Sequence, residues 1–164
     1  MYEDILKTID TLVLLGGIVW ALFRFGLERT YKSIVDFTID CRQVTRIGDN
    51  FVVEFVITAD NRGHIRHEFP SIKLRVRGIG RDDRVDFWKE SRVAFPHKLL
   101  DDVEVLFKPK YDYIFVEPGN TQQITYVTAL PAKIRLIAAR AEFAYKNEDP
   151  HSTERVFDLD RLAV

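Results

Sequence analysis

The sequence predicts an all-β fold, an immunoglobulin-like antiparallel β-sandwich of 7–8 strands, preceded by a single N-terminal helix of transmembrane type. Three observations lead there. An unbroken apolar run, Leu12–Phe23 (LVLLGGIVWALF), stands near the start of the chain. From Val35 onward the apolar residues recur with period two, as in strands with one buried face. Turn-forming clusters punctuate that pattern at strand-length intervals, and no stretch of helical period lies between them.

The N-terminal element comes first. Twelve residues of helix cover about 18 Å, short of a hydrocarbon core of about 30 Å. With its flanks, Ile5 to Leu27, the stretch would cover about 35 Å as a helix. Lys7, Asp10 and Arg24 interrupt it toward the ends, where the two basic residues can snorkel to the interfaces. Asp10 is the awkward one, since a central Asp costs about 2.5 to 3.5 kcal/mol against about 0.3 to 0.6 gained per large apolar residue. A helix buried in a water-soluble core would keep a polar stripe, which this run lacks. A cleaved leader would begin basic, whereas Glu3 and Asp4 open this chain. Residues 1–27 are therefore expected to be a tail and transmembrane helix, and 28–33 (ERTYKS) a neck with Tyr31 at headgroup level. Arg24, Arg29 and Lys32 follow the run and only Lys7 precedes it, so the remainder is expected on the cytoplasmic side of an inner membrane, with the lipid bilayer as one partner. A lone cysteine, Cys41, suits a reducing compartment.

Residues 34–164 form the expected sandwich. Val35, Phe37, Ile39 and Cys41 alternate with polar residues, and Gly48-Asp49-Asn50 makes a turn. Phe51–Thr58 is apolar on both faces except at Glu54 and Thr58, as a central strand is. After Asn61-Arg62-Gly63, Ile72, Leu74 and Val76 alternate with Lys73, Arg75 and Arg77. Gly80–Asp102 is irregular, with a short strand expected at Val85–Trp88 and a helical turn near His97–Leu100. Strands are expected again at Val103–Phe107, Tyr111–Val116, Ile124–Leu130 (stopped by Pro131), Ile134–Tyr145 and Arg155–Leu159. Ala139, Ala141 and Phe143 share one face of the longest of these.

Several stretches then carry a resemblance: Trp20-Ala21-Leu22-Phe23-Arg24-Phe25-Gly26-Leu27, Asn61-Arg62-Gly63-His64-Ile65-Arg66-His67, Phe95-Pro96-His97, Phe115-Val116-Glu117-Pro118-Gly119, Tyr126–Ala132 and His151–Phe157. Together they resemble a family of small bacterial membrane proteins with one N-terminal transmembrane helix and one β-sandwich domain. The resemblance covers nearly the whole chain. It implies an inner-membrane protein and no activity.

Residues arranged for chemistry are hard to find. His64 and His67, three apart in an extended segment, point to opposite faces, and no C-x-x-C or H-E-x-x-H spacing occurs. Asp82-Asp83 and Asp101-Asp102 lack the spacing of a calcium loop. There is no G-x-S-x-G and no phosphate-cradling G-x-x-x-x-G-K-[ST], and Cys41 falls on the apolar phase of its strand. No catalytic, metal or cofactor-binding residue is expected, so the reading is of a non-enzyme. A net charge of −1 gives no field favouring nucleic acid.

Two surfaces remain as interaction candidates. Lys73, Arg75 and Arg77 share one strand face, and Phe87, Trp88 and Phe95 sit among charged residues in the irregular stretch. Arginine mixed with aromatics is typical of protein interfaces. The expectation is a membrane-tethered β-sandwich that binds a protein partner. The rival readings are a lipid- or ligand-sensing domain using the basic face and an outward-facing structural module of the envelope.

Overall fold

Eleven strands follow one helical segment in the computed structural model, which describes residues 2–27, 34–88, 92–106, 110, 112–146 and 149–162. The helix α1 spans Tyr2–Ala21 and passes into a π-helix, Leu22–Leu27. The strands are β1 (Val35–Ile47), β2 (Asn50–Asn61), β3 (His67–Phe69), β4 (Ser71–Gly80), β5 (Phe87–Trp88), β6 (Arg92–Val93), β7 (His97–Glu104), β8 (Ile114–Val116), β9 (Thr121–Pro131), β10 (Ile134–Ala144) and β11 (His151–Asp158).

The helix corrects the first expectation. Among the described residues no helix is long and apolar enough to cross a membrane. The α-helical register stops at Ala21, so the 23-residue span Ile5–Leu27 is not one α-helix. Only Leu12–Ala21 of the apolar run lies in α1, about 15 Å of rise against a hydrocarbon core of about 30 Å. The rest of α1 carries Glu3, Asp4, Lys7 and Asp10. The transmembrane helix is overturned, and with it the resemblance to single-span membrane proteins; the inner-membrane address and the bilayer partner lose the span they were argued from. The expected neck, 28–33, lies outside the described residues.

Two antiparallel sheets make the sandwich, ordered β1-β2-β9 and β11-β10-β4-β7, with β3-β8 and β5-β6 as small ribbons. Numbered along the chain, the seven main strands are arranged 1-2-5 and 7-6-3-4. The fourth therefore joins the sheet that antibody constant domains build from three strands. Inward-facing side chains of the two sheets interleave in one core: Ile39 and Cys41 from β1, Val53, Phe55 and Ile57 from β2, Leu74 and Val76 from β4, Ile137 and Phe143 from β10. Burial alternates strictly along β2, the central strand of its sheet: Phe51, Val53, Phe55 and Ile57 face the core, and Val52 and Val56 on the other face are only half-buried. Phe37 stacks on Phe143 with centroids 3.9 Å apart, and Phe69 meets both edge-on, closing one end of the core. Burial, and then the neighbouring Asp40 charge, push the Cys41 thiol up to about 12.

Three further expectations shift. The helical turn near His97–Leu100 is instead the start of β7, which pairs with β4 from Gly78↔His97 to Lys73↔Glu104. Leu99 and Leu100 pack against the core from this edge, so tertiary burial overrides a local preference. The strand at Val85–Trp88 shortens to Phe87–Trp88, and that at Tyr111–Val116 to Ile114–Val116; Phe107 and Tyr111 lie outside the described residues.

Asn61 joins the ends of this frame. Its buried amide Nδ2 donates to the Ile65 and Val116 carbonyls at 2.8 and 3.0 Å, and its Oδ1 accepts from the Gly63 N–H at 3.0 Å. Its backbone bonds to Gly119 and Asn120 in the turn before β9.

Candidate functional site

The site lies on the outward face of the four-stranded sheet. Ile72, Leu74 and Val76 take the core side of β4, so Lys73, Arg75 and Arg77 must face out. Ala139, Ala141 and Phe143 do the same for β10, which leaves Ala138, Arg140 and Glu142 on the outer face. The register sets these residues in rows. Arg77 lies opposite Ala138, Arg75 opposite Arg140 and Lys73 opposite Glu142; beyond them Val156 faces Ala138 and Glu154 faces Arg140.

Two arginines directly opposite on one face repel unless each is compensated. Arg75 is compensated by a bidentate pair with Asp102, at 2.9 and 2.7 Å. Asp102 reaches it because β7 bulges there, with Asp102 at φ 52, a left-handed conformation that Asp tolerates better than most residues. The Arg75 fork in turn holds the Asp102 carboxyl below the usual carboxylate range. Arg140 approaches Glu142 at 3.4 Å, and its Nε is buried without a hydrogen-bond partner among the described residues. Neither Arg77 nor Arg92 has an ion-pair partner among the described residues.

The segment 92–95 folds over this face and turns it into a groove of about 580 Å³. The groove is lined by Arg75, Arg77, Arg92 and Arg140, by Val93, Ala94, Phe95 and Ala138, and by one carboxylate, Glu154. Ala138, only 9% exposed, has too short a side chain to fill the floor between Arg77 and Val156. The β5-β6 ribbon, through Phe87↔Val93, carries the overhanging segment. At its base, Asp83 accepts from the Gly80 N–H at 2.6 Å and meets His97 Nε2 at 2.7 Å, and these contacts, the backbone one first, lower its pKa.

The two candidate surfaces read from the sequence therefore meet in one place. Arg75, Arg77 and Phe95 line the groove. Lys73 does not; it sits further along the face between Glu104 and Glu142. Phe87 is 66% exposed on the ribbon, outside the lining, and the Trp88 side chain lies outside the described residues. The sequence reading missed Arg92, Val93, Ala94, Ala138, Arg140 and Glu154. Arg140 was within reach, since it stands out of phase with Ala139 and Ala141; its neighbours across β4 and β11 depend on strand order. Among the described residues no cluster of three His, Cys, Asp or Glu is placed to hold a metal ion.

No protein-family model and no curated protein matches this sequence. Solved structures do. A Bordetella pertussis protein described as ApaA superposes with a TM-score of 0.51 at 17% identity, covering 79% of this chain and 96% of that one. The sporulation control protein Spo0M of Bacillus subtilis superposes with a TM-score of 0.45 at 15% identity, covering 74% of this chain and 48% of that one. The first likeness supports the fold and nothing more. The chain is a small β-rich domain with an antiparallel sandwich architecture.

Proposed function

We propose that this domain is a non-enzymatic recognition module whose arginine groove binds an acidic segment of a protein partner. The observation that carries the reading is a pair of guanidinium groups, Arg77 and Arg92, without ionic partners among the described residues, beside the buried Nε of Arg140 over an apolar floor. A guanidinium fork matches a carboxylate in two parallel hydrogen bonds, and such charge-assisted bonds are each worth about 1.5 to 3 kcal/mol. Val93, Phe95 and Ala138 supply apolar contact beside the charges, the mixture that marks energetically dominant patches of interfaces. The recessed floor and the overhang of residues 92–95 favour an inserted segment over a flat bilayer. The lining offers cations and one carboxylate, a set suited to holding an anion rather than turning it over. A single buried thiol suits work in a reducing compartment.

The test is titration with a synthetic peptide of alternating Glu and Phe, with anionic vesicles as a separate arm. Peptide binding that weakens with salt, falls at least tenfold in Arg77→Glu and is lost in Ala138→Leu supports the reading. Equal affinity in both variants, or binding to vesicles alone, contradicts it.

A further inference from the structure

Four strands form the edges of the two sheets, and three of them carry the devices that keep edges from pairing. β1 bears Asp36, Asp40, Arg42 and Arg46 and breaks register between Gln43 and Thr45. β7 bears Lys98, Asp101, Asp102 and Glu104, and its register with β4 shifts twice. β11 bears Glu154, Arg155 and Asp158. The fourth edge, β9, reads TQQITYVTALP, without a single charged residue in a chain that is 30% charged. It pairs with β2 without a bulge from Asn50↔Pro131 to Asp60↔Thr121, and its one proline closes its end. Among the described residues no strand lies on its other side. It is long, unbroken and rich in Thr, Val, Ile and Tyr, and so has the make-up of a strand that accepts another.

We infer that β9 is a pairing edge and that its occupant is the β9 of a second copy of this chain. An acidic or basic strand would find no charge on β9 to pair with, whereas β9 meets itself without like charges opposed. Antiparallel pairing about a two-fold axis at Tyr126 gives full overlap and sets Thr125 of one copy opposite Val127 of the other, and Gln123 opposite Ala129. Outward residues thus meet outward residues. Val127, 57% exposed in the single chain, gains a cross-strand neighbour. The two sheets become one of six strands, β1-β2-β9 continued by β9-β2-β1 of the second copy, an isologous contact that closes on itself. A hollow of about 590 Å³ opens beside Gln122–Thr125, lined also by Val105, Leu106, Tyr113, Ile114 and Phe115. The far end of the second copy's β9 runs past it and covers Tyr113 and Phe115, which are otherwise exposed.

The test is the mass of the full chain in solution, by light scattering over a concentration series. Wild type is expected to dimerise. Leu15→Glu, which breaks the apolar surface of α1, is expected to dimerise equally, separating this contact from association through the helix. The double variants Thr125→Lys/Val127→Lys and Thr125→Glu/Val127→Glu are each expected to be monomeric and to form a heterodimer when mixed. Amide exchange in wild type gives a second reading independent of any variant: protection of Gln122–Leu130 should rise with concentration. The inference is overturned by a wild type that stays monomeric, by a Leu15→Glu variant that does not dimerise, by Lys variants that still dimerise, or by a mixture that stays monomeric. None of these results touches the arginine groove, which lies on the other sheet.

Discussion

Replacing Asn61 by Leu should remove a large part of the domain's stability by taking away one buried amide. Asn61 is fully buried at the end of β2. Its amide makes three hydrogen bonds, all to backbone groups: the Ile65 and Val116 carbonyls and the Gly63 N–H. Leu keeps the branching at Cγ but is bulkier, leaves the backbone bonds to Gly119 and Asn120 in place, and strands those three groups. A buried backbone group left unpaired costs about 1 to 3 kcal/mol, so three give about 3 to 5 kcal/mol once local relaxation is allowed. A domain of this size is stable by about 5 to 15 kcal/mol, so the variant should be close to unfolding. Asn61→Asp sharpens the test through pH. The introduced carboxyl can accept from the Gly63 N–H, but when ionised it faces two carbonyl oxygens in a buried site, which raises its folded pKa. A raised pKa means stability that is present below the unfolded value of about 3.9 and lost as pH rises above it. Urea titrations followed by circular dichroism, at pH 4 and pH 7, give both readings. An Asn61→Leu variant within 1 kcal/mol of wild type would refute the reasoning, as would an Asn61→Asp variant no worse at pH 7 than at pH 4.

Other expectations follow from single contacts. A Cβ on Gly78 would come within 2.8 Å of Ile134 Cγ2 and 2.9 Å of Leu99 Cδ1. The Leu99 methyl ends its side chain, but Ile134 Cγ2 sits on the Cβ of a fully buried residue and has little room to yield, so Gly78→Ala should cost about 1 to 3 kcal/mol by overpacking and shift β7, which a thermal melt will register. Cys41, with its thiol pushed up to about 12, should resist a thiol-specific disulfide reagent in native protein and react at once in denaturant. Asp60, Asp83, Asp102 and Asp160 all have lowered pKa values, each through hydrogen bonds before anything else. Their contribution is present above about pH 3.9 and lost as pH falls through the folded values, so acid titration of Asp102→Asn should show a shallower fall than wild type.

How much of this was legible in the sequence varies by element. β2 and β4 could be read because Phe51–Thr58 is a short, nearly unbroken apolar run and Ile72–Arg77 alternates with period two, and both lie within their sheets. β7 could not, because His97–Glu104 is an edge whose bulge at Asp102 breaks the alternation; only pairing with β4 identifies it. The helix was misjudged in extent. An apolar run marks a helix, but local composition does not say where its register changes, and the change at Ala21 decides whether it can span. At the groove, the basic row on β4 was visible and its neighbours were not. Arg75 and Arg140 are 65 positions apart in the chain and directly opposite in the sheet. Arg92 and Phe95 reach the same face through a two-residue ribbon with no signature of its own.

The central claim is that the groove under residues 92–95 receives an acidic segment. Its most direct test is amide chemical-shift mapping of the full chain during titration with the Glu/Phe peptide. The account predicts saturable shifts at Arg75, Arg77, Val93, Phe95, Ala138 and Arg140, abolished in Arg77→Glu and reversed by salt. Shifts confined to the three-stranded sheet, or none at peptide excess, would contradict it.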